Sequence, residues 1–250
     1  MANNLQSRRM VLGGALALMP TAAMAQGAFG DFLKNLSNKP AGRSVGGAAL
    51  SQGDIGLGLK DALKVATRHV VGQVGRTDGY FGDTAIRIPL PGPLERVAGP
   101  MRNFGAGFLL DDLSLRMNRA AEQAAPKALD IFVDAVSAMS FNDARAILTG
   151  PDDSATQYFR RTTSAPLTTE FRPIVNSALS GAGAMRAWSA VQNRAARMPL
   201  LAGVTNGFSL TDFTVGKALD GLFYYIAVQE KDIRTNPAAR TTDLLRKVFG

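Results

Sequence analysis

The chain has 250 residues, 46% of them apolar and 19% charged, which is enough for a continuous buried core and too little charge for intrinsic disorder. It has no cysteine, which excludes disulfides, thiol catalysis, thiolate zinc and iron–sulfur sites and a lipid-modified terminal cysteine, and its single histidine leaves little imidazole chemistry. The formal charge of +8 favours solubility and a weak attraction to anionic surfaces, and falls short of a nucleic-acid footprint.

Residues 1–25 contain no acid. A polar stretch ends in Ser7-Arg8-Arg9-Met10-Val11-Leu12, an apolar run extends from Val11 to Met19, and small residues stand at Ala23 and Ala25. This three-part pattern predicts a signal peptide cleaved before Gln26, with an apolar run too short to span a membrane. The paired arginines resemble a twin-arginine signal, which implies export of a folded chain; an ordinary secretory signal with Arg8-Arg9 as its positive region fits the same residues. Either route leads to a bacterial periplasm, and removal of the two arginines leaves the mature chain at +6.

Residues 26–50 are rich in Gly, Ala, Ser and Asn and read as a flexible lead-in with one weak helix at Phe29, Phe32, Leu33 and Leu36. From Ser51 the spacing of Ile55, Leu59, Ala62, Leu63, Ala66 and Val70 predicts a helix ending near Gly75, with Ser51 and Asp54 as a capping box. Residues 76–93 read as a loop with turn pairs and three prolines, in which Ile86-Arg87-Ile88 is a three-residue hint of a strand. A short helix at 94–103 follows, then a long pattern from Phe108 to Met139 that Pro126 must kink or divide. Ser140 and Asp143 form a second capping box ahead of a helix stopped by Gly150. Asp152 and Asp153 cap a helix through Arg161, Ser164-Ala165-Pro166 opens another through Leu179, and Met185–Met198 forms a further one around Trp188. The repeat of Val215, Leu219, Leu222, Phe223 and Ile226 marks a helix over 213–234, and Asn236-Pro237 starts the last, with Leu244, Leu245 and Val248. The expectation is one all-α domain of about ten helices over residues 51–250.

Four stretches taken together resemble a known family: Gly58-Leu59-Lys60-Asp61-Ala62-Leu63; Asp78-Gly79-Tyr80-Phe81-Gly82 leading to Ile88-Pro89-Leu90-Pro91; Ile147 through Asp153 with Ala155 through Arg161; and Lys217-Ala218-Leu219-Asp220-Gly221-Leu222. In this order and spacing they are similar to the bacterial exported proteins grouped as domain of unknown function 4197. The resemblance runs from about Ser51 to Phe249 and implies an exported helical domain, with no activity, cofactor or catalytic residue attached to it.

Phosphate-loop, dinucleotide and zinc-protease strings are absent. His69 lies beside the apolar stripe of its helix and reads as structural. Asp130 and Asp134, Asp111-Asp112 and Asp152-Asp153 read as solvated ion-pair or capping groups, so no metal and no cofactor is expected. The candidate ligand site is the helix carrying Thr156, Gln157, Tyr158, Arg160 and Arg161, which gathers hydrogen-bonding groups, an aromatic ring and two arginine forks. Arg186, Arg194 and Arg197, in a stretch without acids, form a candidate contact for an anionic surface. The reading is a soluble periplasmic helical domain without a lipid anchor. It acts by binding an envelope protein or an anionic envelope component, with no nucleic-acid partner and no transmembrane segment. An Asp/Arg hydrolase or lyase, metal-assisted or not, and a carrier of an apolar ligand are the alternatives.

Overall fold

The computed structural model describes residues 52–103, 107–181, 188–190, 192–193 and 208–235, all within one compact unit spanning residues 43–250. Among them every regular element is helical: α1 (Gln52–Val74), α2 (Gly92–Asn103), α3 (Gly107–Ala124), a 3-10 turn (Ala125–Lys127), α4 (Ala128–Ala138), α5 (Phe141–Thr149), α6 (Ser154–Gly181) and α7 (Leu210–Thr235). The leader, the lead-in, the Ser51 cap, most of the Met185–Met198 helix and the helix after Asn236 lie outside the described residues.

The predicted stripes are the buried faces. Leu59, Ala62, Leu63, Ala66 and Val70 of α1 are buried, as are Leu113, Met117, Ala120 and Ala124 of α3 and Val215, Leu219, Leu222 and Phe223 of α7. Packing of such stripes, rather than propensity, holds helices of this length. Phe132 of α4 meets Phe159 of α6 edge-on at 5.2 Å and Phe223 of α7 at 6.2 Å, so one aromatic cluster joins three helices. Trp188 is buried against Phe208, which continues to Phe213.

The boundary signals at Pro126 and Ser140 hold. Pro126 sits in the 3-10 turn that divides α3 from α4. Ser140 accepts from the Asp143 amide while the Asp143 carboxylate accepts from the Ser140 amide, which is the complete capping box, and Gly150 stands at the C-cap.

Two expectations are corrected. The helices expected over 151–161 and 164–179 are a single 28-residue helix, α6, with Pro166 and Pro173 inside it. Its buried line runs through Phe159, Thr163, Leu167, Phe171, Val175 and Leu179 at a constant four-residue step, while both prolines, seven residues apart, stay on the exposed face. The carbonyls that the prolines leave without an amide donor therefore face the solvent side, and burial along the other face carries the helix through.

Ile86-Arg87-Ile88 is not a strand. The backbone of Ile88 pairs with one side chain instead: its amide donates to Asn118 Oδ1 at 2.8 Å and its carbonyl accepts from Asn118 Nδ2 at 3.0 Å. Residues 75–91 form a strap laid over α3 and α7. Asp78 adopts a left-handed φ of 63°, and Gly79 is required because a Cβ there would lie 2.3 Å from the Val74 carbonyl oxygen.

Candidate functional site

The amino end of α6 is held by a residue that its own sequence does not supply. The Ala155 and Thr156 amides both donate to the Glu230 carboxylate of α7 at 2.8 Å, and the Thr156 hydroxyl donates to the same group. Arg234 pairs with Glu230 at 3.0 Å and reaches the Ile147 carbonyl at 2.7 Å, tying α5, α6 and α7 together. The capping expected of Asp152 and Asp153 therefore falls to Glu230; the Asp153 side chain instead accepts from Gln157 Nε2 at 2.9 Å. A doubly accepting carboxylate at a helix start satisfies orphan amides and opposes the positive end of the dipole.

The five predicted residues separate accordingly. Thr156 is buried in the Glu230 clamp. Arg160 points toward α7, with its guanidinium 4.6 Å from the Phe223 ring centre and 3.9 Å from Asp220. Gln157, Tyr158 and Arg161 share one open cleft of about 180 Å³ with Asp143, Ala146, Ile147 and Ser154, between α5 and α6. Tyr158 is buried, donates its hydroxyl to the Ala135 carbonyl at 2.8 Å and forms the wall on which Arg161 lies at 5.6 Å. Burial pushes the Tyr158 hydroxyl above its ordinary range, with Asp143 adding to the shift and Arg161 opposing it. The Ser140 hydroxyl and amide hold the Asp143 carboxyl below its usual range, and Arg161 adds to that effect. The cleft thus carries a fixed negative charge and a fixed positive charge.

Arg186, Arg194 and Arg197 lie outside the described residues. His69 is half-buried, and burial lowers its pKa. Asp112 pairs with Arg116 at 2.7 Å and Asp111 with Arg102 at 3.4 Å, while Asp130 and Asp134 are exposed. Among the described residues no cluster of three metal-ligating side chains occurs, and no helix is long and apolar enough to cross a membrane.

A second buried carboxylate, missed in the sequence, organises the strap. Glu122 accepts the Tyr80 and Phe81 amides at 3.1 and 3.0 Å and pairs at 2.6 Å with Arg119, which also binds Asp78 at 2.7 Å. The buried Tyr80 donates its hydroxyl to the Ala218 carbonyl at 2.7 Å. Gly221 makes room for that ring, since a Cβ there would lie 2.6 Å from it. Tyr225 closes the far side of the strap with a hydrogen bond to Asp83. Two signals were available: glutamate is rare in this chain, and Asn118 and Glu122 stand four apart on the apolar side of α3, where polar residues must earn partners.

The fold and the clamps describe an all-α domain in which α7 receives two of the sequence signatures: the strap at Ala218, and the α5–α6 junction at Glu230 and Arg234. The family model described as protein of unknown function, DUF4197, matches residues 49–250, and the chain belongs to that family. No curated protein and no solved structure matches the chain.

Proposed function

We propose that this is an exported periplasmic protein that acts by binding rather than catalysis, and that Gln157, Tyr158 and Arg161 contact an anionic component of the cell envelope. The observation that carries the reading is Arg161. Its guanidinium lies on the Tyr158 ring at the edge of a cleft, and among the described residues no carboxylate stands within ion-pair distance of it. A planar fork with unspent N–H groups suits a carboxylate or phosphate. The two buried carboxylates, Glu122 and Glu230, each take up two backbone amides and an arginine, which supports a scaffold role for them. The leader over residues 1–25 supports the address.

Co-sedimentation with phosphatidylglycerol vesicles and with cell-wall sacculi tests the binding. The wild type is expected to pellet with one of them and Arg161→Ala to lose most of that recovery; equal recovery of both proteins overturns the reading. Amino-terminal sequencing of the periplasmic fraction is expected to begin at Gln26, and a major uncleaved cytoplasmic form removes the address. Replacement of Arg8 and Arg9 by lysine is expected to retain precursor in the cytoplasm if the twin-arginine route is used.

A further inference from the structure

We infer that the α5–α6 cleft recognises a zwitterion of the α-amino-acid type, its carboxylate on Arg161 and its ammonium between Asp143 and Gln157. The inference rests on the reading that the Arg161 cleft is where this protein binds, and it narrows the ligand from an anion to a group bearing both charges.

The donors and acceptors left over in the cleft carry the argument. Asp143 directs Oδ2 to both the amide and the hydroxyl of Ser140, at 3.0 and 2.6 Å, and among the described residues Oδ1 has no hydrogen-bond donor. Gln157 spends Nε2 on Asp153, which leaves its carbonyl oxygen as an acceptor. Arg161 brings only donors. Asp143 and Arg161 line the same cleft, and their side chains do not close a salt bridge with each other, although each is placed by other contacts: the capping box for one and the Tyr158 ring for the other. A cation alone would leave Arg161 unmatched, and an anion alone would face the Asp143 charge. A ligand with an ammonium and a carboxylate on neighbouring atoms matches both. The cleft volume of about 180 Å³ is below the roughly 300–1,000 Å³ of drug-sized sites, so the ligand is small.

The test uses alanine, N-acetylalanine, which keeps only the carboxylate, and alaninamide, which keeps only the ammonium, titrated into the full chain while the amide resonances of Ala144, Gln157 and Tyr158 are followed. Alanine is expected to shift these resonances, and each blocked analogue to bind at least about tenfold more weakly, the loss expected for one charged hydrogen-bonding group. Arg161→Ala and Asp143→Asn are each expected to weaken alanine by a similar factor. Because Asp143 also caps α5, Asp143→Asn is titrated well below its own unfolding midpoint, followed by circular dichroism, so that lost alanine binding in the folded variant reports the carboxylate and not the cap. If N-acetylalanine binds as tightly as alanine and Asp143→Asn has no effect, the zwitterion is overturned while the Arg161 anion site stands. If none of the three probes moves the cleft resonances and vesicles or sacculi still bind through Arg161, only the small-ligand inference falls. If Arg161→Ala changes neither, both readings fall.

Discussion

Glu230 shows how much of this molecule hangs on single carboxylates. Its removal would leave two buried helix-start amides without an acceptor and take the Glu230 carboxylate from the part-buried Arg234. Glu230→Ala is therefore expected to cost about 3–5 kcal/mol in denaturant unfolding, the range for breaking a buried pair from one side. Glu230→Gln keeps an acceptor and loses the charge, and is expected to cost about 1–3 kcal/mol. His69 gives a second test at this scale, because it is the only histidine in the chain. Burial sets its folded pKa below the ordinary value of 6.5, so as pH falls the unfolded chain takes up the proton first. Stability present above pH 6.5 is lost as the pH drops toward the folded value and levels off below it. His69→Gln should flatten the pH dependence of unfolding between about pH 7 and 5, where no other side chain with an ordinary pKa titrates.

At the level of elements, α6 is the informative case. Local rules read Pro166 as the opening of a new helix, and the rule is sound for a helix that must stand on its own hydrogen bonds. The four-step line from Phe159 to Leu179 was equally visible and runs through both prolines without a break, so burial outweighs the missing donors. If the prolines are tolerated and not needed, Pro173→Ala should restore a helical amide and stabilise the protein. The gain expected from thermal unfolding is about 2 kcal/mol, being roughly 3 kcal/mol of helix preference less about 1 kcal/mol of unfolded-chain entropy. A loss instead would show that packing of α6 depends on the bend. The other helices were legible because their stops are local: a proline in the 3-10 turn at Pro126, a serine–aspartate box at Ser140, a glycine at Gly150.

Across the whole molecule, what the sequence hid is the pairing between distant polar groups and backbone. Glu230 lies 75 residues from Ala155 and Glu122 lies 42 from Tyr80, separations at which no periodicity or spacing rule operates. The candidate site was half legible for the same reason. Thr156 through Arg161 could be named from their chemistry, but only the helix packing shows that Thr156 belongs to a clamp, that Arg160 turns to α7 and that Asp143 joins Arg161. The strap gives a measurable consequence. Its Tyr80, Phe81 and Ile88 amides lie outside any helix, yet they donate to buried or part-buried acceptors on α3. Their hydrogen exchange is expected to be as slow as that of the α3 core, and Asn118→Ala should release Ile88 selectively. Fast exchange in the wild type would mean that the strap opens independently of the helices.

The position of α7 in the chain also sets a timetable for the protein's birth. The Ala218 carbonyl that receives Tyr80 and the Glu230 carboxylate that seats α6 are both made after the elements they hold, so a ribosome-bound chain lacking residues 210–235 has a strap without its Tyr80 anchor and a long helix without its cap. Contacts spanning 138 and 75 residues form only after their loops have closed. The nascent chain must therefore stay incompletely packed until α7 has emerged, which leaves apolar stripes of the earlier helices open to chaperones up to that point. Completion of the strap and of the α6 cap thus waits on α7.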